Sequence, residues 1–298
     1  GENAFGRGRD PKDALRSGFG LTKRVTQFIG LEQGDLEQRI KSSLLDLLRQ
    51  LGVLPDLSKL QLDDLPEKLN YLGLWLIKQG SQRLPILIHV SSHTNEVQGV
   101  APGLTQWLAY PDLLAAIARR EASSFPYWEQ PQTINFIQEK LEGDVIALGD
   151  TLLLCHAQNI RRIWPWLQDQ RIIMDRIAFS EESSHPIKDP LWQGLRIIRV
   201  RGGENNETAQ WYAQTEEQQG FSKGLFQIGE RVFASTYQKP AQMRKLSPSL
   251  SKVKTVESAT GKIYQPAPDS YAWNPAIYEL TVACLQPGDN PAVWAALA

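Results

Sequence analysis

Two short apolar runs separated by a polar turn constrain the fold of this chain more than any other feature of its sequence. Tyr71–Ile77 and Leu84–Val90 are rich in Leu and Ile, and the connection Lys78–Arg83 contains Gly80. Apolar runs of this length, bounded by a polar turn with Gly, are typical of two strands joined in a hairpin. The sequence therefore predicts that a sheet begins near residue 71.

Helical and strand patterns follow one another through the remainder of the chain. Gln38–Leu51 carries Ile40, Leu44 and Leu48 at helical spacing, and Gly52 follows it as a residue that commonly ends helices. Such an alternation predicts a mixed α/β fold, with a central sheet and helices on both faces. The other expected elements are strands at Val97–Val100, 144–155 and Leu195–Val200, helices within 10–30 and at Pro111–Arg120, Gln132–Leu141, Asn159–Leu167 and Pro275–Leu285, a hairpin of Leu225–Gly229 with Val232–Ala234, and a loop over Lys245–Pro268.

The composition excludes several classes of protein. The 298 residues are 42% hydrophobic and 22% charged, which is typical of a soluble globular chain. No apolar run approaches the roughly 20 residues that a membrane span needs, so we expect a cytoplasmic protein without a membrane partner. Two cysteines are too few for a disulfide framework, and the four histidines lack zinc-binding spacing, so no metal site is predicted. The ends, Gly1 and Ala298, suggest a piece of a longer protein.

Two segments are basic although the whole chain has a net charge of −1. Residues 1–30 and 231–262 each contain more Lys and Arg than Asp and Glu. Local basic segments on a neutral chain fit a localised phosphate-binding groove. Solvated Lys-rich loops give the same pattern. Charge alone therefore leaves both interpretations open.

Short segments in a fixed order resemble those of a known family. They are DPKDALRSGFG, VTQFIG, LLDLLRQLGV, LCHAQNIRRIWPWLQ, LRIIRVRGGENNETAQWY, ERVFASTYQKP and YELTVACLQPGDNPAVWAALA, and they cover nearly the whole chain. The family is pPIWI-RE, a divergent prokaryotic branch of Argonaute-related proteins named for a characteristic Arg and Glu. The resemblance implies an α/β fold of the RNase H-like PIWI type, with a mixed central sheet flanked by helices.

The resemblance also implies a domain organisation and a set of partners. Residues 1–52 would be the tail of a guide-binding MID region with its junction helix, and residues 53–298 would be the RNase H-like PIWI domain. The expected partners are a guide and a target nucleic acid, RNA or DNA, together with a helicase and a nuclease of the same system. The implied role is prokaryotic defence against plasmids or R-loops.

The guide strand's 5′ phosphate would be held near the MID–PIWI junction. Gln27 resembles the Gln of the Argonaute phosphate site, and Arg39 and Lys41 resemble its basic positions. Several convergent donors, Arg and Lys above all, are what a terminal phosphate needs. Arg39 and Lys41 also fit the polar face of an amphipathic helix, so that alternative stays open.

A nuclease centre of the RNase H type would need acidic residues at the ends of its first and fourth strands, because they hold two divalent ions about 4 Å apart. If Leu84–Val90 is the first strand, it runs into His89–His93 without an Asp. If Thr151–Cys155 is the fourth strand, it runs into His156, again without an Asp. The expected carboxylates are therefore missing from both places.

Asp150 and Asp175 are the remaining candidate catalytic residues. Asp150 precedes its strand instead of ending it, and neither Asp175 nor Glu96 occupies the expected place. We therefore expect little or no cleavage. Mg²⁺ or Mn²⁺ is expected as a cofactor only if cleavage survives.

The strand Leu195–Arg201 carries the candidate nucleic-acid-binding arginines. Arg199 and Arg201 lie two residues apart, so both side chains point to one face of the strand. Two guanidiniums before a Gly-Gly turn could hold a phosphate backbone, whereas exposed ion pairs with neighbouring Glu residues are the ordinary alternative. Glu279, which interrupts the apolar face of the expected last helix, is the favoured buried partner, and Glu207 is the alternate.

Lys239 and several tryptophans complete the candidates. Lys239 follows a strand and precedes a basic segment, where it suits a contact with a nucleic-acid backbone. Tryptophans can stack on bases but more often belong to the core. This applies to Trp164, Trp166, Trp211 and Trp273.

Three functions remain in competition. The first is a guide- and target-binding PIWI module with little or no catalysis. The second is an active, metal-dependent RNase H-like endonuclease. The third is an α/β protein-interaction module whose basic segments dock an acidic partner.

Overall fold

The computed structural model describes residues 11–22, 24–30, 36–54, 65–79, 82–94, 96–119, 128–202, 224–236, 251–259, 261–271 and 277–298. The helices are α1 Lys12–Leu21, α2 Leu36–Gln50, α3 Tyr110–Arg119, α4 Gln130–Lys140, α5 Ala157–Ile160 and α6 Pro291–Leu297. The strands are β1 Asn70–Gln79, β2 Gln82–Ser91, β3 Val97–Val100, β4 Leu108–Ala109, β5 Thr151–His156, β6 Arg176–Ala178, β7 Ser184–Pro186, β8 Leu195–Arg201, β9 Gly224–Gln227, β10 Val232–Thr236, β11 Ser251–Ser258, β12 Gly261–Tyr271 and β13 Tyr278–Cys284.

The predicted β1–β2 hairpin is confirmed, and it forms part of a large mixed sheet. In the described parts of the chain this sheet has nine strands, in the order β4, β3, β2, β1, β5, β8, β13, β10, β9. β1 pairs antiparallel with β2 and parallel with β5, so that Leu74 lies opposite Leu87 on one side and Cys155 on the other. The predicted mixed α/β fold is therefore confirmed.

The main core lies on the face of the sheet to which Leu72, Leu74 and Leu76 of β1 point, all of them at most 2% exposed. Alternate residues of a strand point to opposite faces, so this spacing of Leu directs one side of β1 into the protein. Ile137 of α4 and Trp164 pack into the same core. Burying each such Leu contributes roughly 1.5–3 kcal/mol.

Helix α3 covers the opposite face over β2 and β3. Leu113 of α3 is fully buried there with Leu84 of β2. Gly99 of β3 permits this close approach, because a Cβ at that position would lie 2.3 Å from Leu113 Cδ2 and 2.7 Å from Ile88 Cδ1. Helices therefore pack on both faces of the sheet, as the sequence predicts.

The chain divides into two compact units, residues 1–199 with 282–298 and residues 200–281. In the second unit, β10 pairs antiparallel with β9 and with the first half of β13, where Ala234 lies opposite Glu279. β11 and β12 form a separate hairpin, with Val256 opposite Ile263. No helix in the described part of the chain is both long and apolar enough to cross a membrane.

The predicted last helix, Pro275–Leu285, is wrong over its described part. Tyr278–Cys284 is strand β13, and its residues from Leu280 to Cys284 are all buried. A strand that is buried on both faces has a continuous apolar pattern, and periodicity alone does not separate such a run from a buried helix. The closing helix is instead α6, which begins at Pro291 after the N-cap Asn290.

Two further predictions of local structure are wrong. Helix α5 ends at Ile160 instead of continuing to Leu167, because Pro165 lacks an N–H and its ring clashes with the preceding turn of a helix. The expected loop over Lys245–Pro268 contains the β11–β12 hairpin in its described part. Its Ser- and Lys-rich composition is typical of a loop and carries no apolar alternation that would predict these strands.

Candidate nucleic-acid interface

The carboxyl ends of β1 and β5 lie at the same edge of the sheet, because the two strands are parallel neighbours. Leu74 lies opposite Cys155, so the next residue of each strand, Trp75 and His156, also lie side by side. Their ring centroids are 5.0 Å apart, with the rings tilted by 44°. This edge, from Trp75 to Arg83 and from His156 to Arg162, is called the carboxyl edge below.

The expected first strand of a nuclease centre needs a correction. Leu84–Val90 belongs to β2, whereas the strand that pairs with β5 is β1. The positions at the carboxyl edge are therefore occupied by Trp75 and His156, neither of which is a carboxylate. Within the described parts of the chain, no group of three or more His, Cys, Asp or Glu residues is placed to hold a metal ion.

Asn159 fixes the chain after β5 against the end of β1. Its side-chain oxygen accepts a hydrogen bond from the Leu76 backbone N–H at 2.6 Å, and its Nδ2 donates to the Leu76 carbonyl at 3.0 Å. The amide thus replaces a neighbouring strand's backbone at the residue after Trp75. This contact holds the two halves of the carboxyl edge together.

The carboxyl edge is basic and contains no acidic residue. No Asp or Glu occurs between Lys68 and Asn95 or between Thr151 and Gln168. Lys78 and Arg83 lie directly opposite each other across the β1–β2 hairpin. Like charges at opposed positions destabilise a hairpin, so this pair is unfavourable unless an anion is present. Arg162, which is exposed, adds a cation after α5.

Trp75 is the exposed aromatic residue of this edge. It is 44% exposed, although Leu74 and Leu76 on either side are buried. By contrast, Trp164 and Trp166 are 1% and 5% exposed, and Trp164 stacks on Phe179 with centroids 5.6 Å apart. These two tryptophans belong to the core, while Trp211 and Trp273 lie outside the described residues. Trp75 was not among the residues predicted to stack on bases.

Asp150 lies at the amino end of β5, opposite to the carboxyl edge. Its carboxylate accepts a hydrogen bond from the Arg196 guanidinium. Arg196 also donates from Nε to Asp289 Oδ2 at 2.8 Å and lies over the ring of Trp294 at 4.5 Å. Burial lowers the pKa of Arg196, but the bonds to Asp289 and Asp150 outweigh burial and raise it. Asp150 therefore belongs to an ion-pair network, called the amino-edge network below.

Asp175 ties together two backbone segments. It has a positive φ of 59°, and its Oδ1 accepts a hydrogen bond from the backbone N–H of Leu285 at 2.9 Å. Its own N–H donates to the Ala283 carbonyl at 2.9 Å. These contacts give Asp175 a structural role at the end of β13, whereas the carboxylate of Asp150 belongs to the amino-edge network.

Arg199 lies inside the first unit and is 3% exposed. Its guanidinium donates to the Leu167 carbonyl at 3.1 Å and pairs with the carboxylate of Asp169. Its side chain therefore does not face an open groove. Phosphate contact by Arg199 stays a prediction, and it has no support from this geometry.

Arg201 and Glu279 form an ion pair in the second unit. Arg201 Nη1 lies 3.4 Å from Glu279 Oε1, and the two side chains are 11% and 18% exposed. Glu279 lies on strand β13, whereas a helix was expected at this position. Backbone binding by Arg201 stays a prediction. Glu207 and Lys239 lie outside the described residues.

The candidate 5′-phosphate residues are not brought together as a group. Gln27 Nε2 donates to Asp46 Oδ2 at 3.0 Å, and it lines a concavity of about 390 Å³ with Arg16 and Arg49. Lys41 instead pairs with Glu37 one helical turn away, at 2.7 Å.

Arg39 donates to the carbonyl of Gly30 at 3.0 Å. Arg16 and Arg49, the cations nearest Gln27 in this concavity, were missed because they are distant from Gln27 in sequence and belong to different helices. The sequence signal for Arg16 was the basic character of residues 1–30, and Arg49 lies outside that segment.

Comparisons with known proteins identify the family. A family model described as the RNaseH domain of pPIWI_RE matches residues 71–298, and one described as the MID domain of pPIWI_RE matches residues 1–59. No curated protein matches the chain significantly. Among solved structures, endonuclease V from Bacillus subtilis matches at 10% identity with a TM-score of 0.19, over 89% of this chain and 82% of that chain. A TM-score this low carries no argument.

Proposed function

The chain belongs to the pPIWI_RE family and has its RNase H-like fold, and on this premise we propose that it binds a guide strand and a nucleic-acid target with little or no cleavage. We place the bound strand at the carboxyl edge. The boundary between the MID tail and the RNase H-like domain, expected at residue 52, stays a prediction.

The observation that carries this proposal is the chemistry of the carboxyl edge. Lys78, Arg83 and Arg162 provide positive charge without a nearby acidic residue in sequence, and Trp75 provides an exposed aromatic ring. Cations hold the phosphates of a strand, and aromatic rings stack on its bases. An acidic protein partner would use the cations but would have no need of the ring.

The side chains at the carboxyl edge are poor ligands for Mg²⁺ and do not favour cleavage that depends on it. Divalent ions of the Mg²⁺ class prefer oxygen ligands, above all carboxylates, whereas the strand ends here present Trp75 and His156. Asp150 and Asp175 are engaged elsewhere. Incubation of a guide and a complementary target with Mg²⁺ or Mn²⁺ tests this point, and cuts that are lost in Asp150→Asn or Asp175→Asn would support the endonuclease instead.

The guide's 5′ end is proposed to lie on the part of the chain that matches the MID domain. Gln27, Arg16 and Arg49 line one concavity there together with Asp46, whose carboxylate accepts hydrogen bonds from Gln27 and Arg49 that a phosphate would have to replace. Arg39 and Lys41 remain candidates on α2. The test is the ratio of Kd values for 5′-phosphorylated and 5′-hydroxyl strands. Arg49→Ala should lower this preference more than Lys41→Ala, and equal losses for both strands would contradict the phosphate assignment.

Binding at the carboxyl edge is tested by reversing one charge there and one elsewhere. Lys78→Glu should weaken binding of single-stranded RNA or DNA and lower the slope of log K against log salt by about 1. Lys188→Glu is the matched control, because Lys188 is also an exposed lysine but precedes β8 at the other edge of the sheet. Equal effects of the two changes would contradict this location.

The wider role rests on the family resemblance. We propose that the protein acts in prokaryotic defence against plasmids or R-loops, in the cytoplasm, beside a helicase and a nuclease. The measurement is plasmid retention in bacteria that produce this protein together with the helicase and the nuclease. Retention should fall with the unaltered chain and recover with Lys78→Glu, whereas equal retention in both strains would contradict the proposal.

A further inference from the structure

Trp75 occupies an unusual position for a large aromatic side chain. It lies in β1, in the interior of the large sheet, and yet it is 44% exposed. Its neighbours along the strand, Leu74 and Leu76, are at most 2% exposed and fill the core on the other face. A ligand that covers the indole would therefore bury apolar surface that folding leaves exposed.

The ring is supported on one side and fixed at its backbone. His156 lies 5.0 Å from it, centroid to centroid, at an angle of 44°. The next residue, Leu76, is held through both its N–H and its carbonyl by the side chain of Asn159. A ring whose support is already formed loses little conformational freedom when a ligand binds.

The charges around Trp75 identify the class of ligand. Lys78 follows it by three residues in the same strand and therefore points to the other face, and Arg83 lies opposite Lys78 near the end of the hairpin. Arg162 follows His156 after helix α5. Interleaved cations and an exposed aromatic ring are the combination that binds a single strand, because the cations hold phosphates and the ring stacks on a base.

We propose that Trp75, supported by His156, stacks on an unpaired base of the bound strand at the place where an RNase H-type centre would hold its metal ions. Arg162 holds a phosphate next to this base, and Lys78 with Arg83 holds a phosphate farther along the strand, at the end of the β1–β2 hairpin. The proposal rests on the proposed function, since it assigns one contact within the same interface.

The test combines a substitution at Trp75 with removal of a single base from the oligonucleotide. Affinities of a 5′-phosphorylated oligonucleotide are measured for the unaltered chain, Trp75→Ala and Trp75→Phe, with an abasic nucleotide moved along the strand. Trp75→Ala should weaken binding about tenfold, the loss expected for one base–aromatic stack, and Trp75→Phe should retain most of the affinity. At one position, the abasic nucleotide should weaken binding to the unaltered chain about tenfold and to Trp75→Ala hardly at all.

The control is Leu191→Ala, since Leu191 is 45% exposed but lies in the turn before β8 at the other edge. Its affinity should match that of the unaltered chain. Additive losses at every abasic position, or a Trp75→Ala affinity within twofold of the original, would overturn the stacking assignment while leaving the proposed function in place. Failure of the unaltered chain to bind any strand would overturn both. Binding of polyglutamate that depends on Trp75 would assign the edge to an acidic protein instead.

Discussion

The charged residues near the two ends of β5 differ in their burial and in their neighbours of opposite charge. At the amino end, Arg196 is 7% exposed in its side chain and lies between two carboxylates, those of Asp150 and Asp289. At the carboxyl end, Lys78 and Arg162 are exposed, and no acidic residue is near them in sequence. Removing one member of a buried ion-pair network destabilises the fold, whereas exposed charges remain available to a ligand. The comparison assigns stability to the amino-edge network and binding to the carboxyl edge.

The largest expected effect on stability is at the amino-edge network. Arg196→Ala removes the partner of two carboxylates and the cation over Trp294, and breaking a buried ion pair in this way costs about 3–5 kcal/mol. The free energy of unfolding in urea measures it. The matched control is Arg171→Ala, because Arg171 pairs with Glu181 at the surface, where a pair contributes about 0–1 kcal/mol. Equal losses for the two variants would remove the distinction between the two edges.

A smaller loss is expected when the link between β5 and β1 is cut. Asn159→Ala leaves the N–H and carbonyl of Leu76 without the hydrogen bonds of the Asn159 side chain, which should cost about 1–3 kcal/mol. Asn135→Ala, at an exposed position of α4, is the matched control and should change the unfolding midpoint little. We also expect Asn159→Ala to weaken strand binding, because Trp75 would lose its fixed backbone. A stable variant with unchanged affinity would show that the link has no part in the site.

At the carboxyl edge, the same substitution should improve stability and impair binding. Lys78→Glu replaces a like-charge pair with Arg83 by an opposite-charge pair, and such cross-strand pairs differ by about 0.2–1 kcal/mol. The unfolding midpoint should therefore rise slightly while affinity for a nucleic-acid strand falls. If Lys78→Glu destabilises the fold, the charge at this edge serves folding, and the comparison between the edges fails.

The smallest expected effect is a dependence of stability on pH through His89. Burial lowers the pKa of His89, and Glu96 opposes this only in part. The Nε2 atom of His89 lies 2.9 Å from Asn70 Oδ1. The unfolded chain therefore takes up a proton at higher pH than the folded chain does. Stability should fall as the pH drops below about 6.5, the ordinary value for His. His89→Asn should reduce this decline, and an unchanged pH profile would show that another group causes it.

The sequence predicted the architecture better than it predicted the site. The β1–β2 hairpin and the alternation of strands and helices follow from local apolar patterns, which is why they are confirmed. β13 was mistaken for a helix because a strand buried on both faces has no alternation to detect. The order of the strands, which decides that β1 and not β2 lies beside β5, depends on pairing between distant segments and cannot be read from either segment alone.

The site residues illustrate the same limit. Arg199 and Arg201 both lie on strand β8, but the partner of Arg199 is Asp169, thirty residues earlier. Trp75 was overlooked because it lies within the apolar run Tyr71–Ile77, which was predicted only as a strand. Its signal was its position between the alternating leucines at 72, 74 and 76, combined with the long segment without Asp or Glu around it.

Ultraviolet cross-linking of a 5′-phosphorylated single strand, followed by mass spectrometry of the peptides, tests the central claim most directly. The account predicts cross-links within residues 74–83 and 156–162, with Trp75 among the modified residues, and a loss of these cross-links in Lys78→Glu but not in Lys188→Glu. Cross-links concentrated instead around Asp150, Arg196 and Asp289 would contradict the assignment of binding to the carboxyl edge.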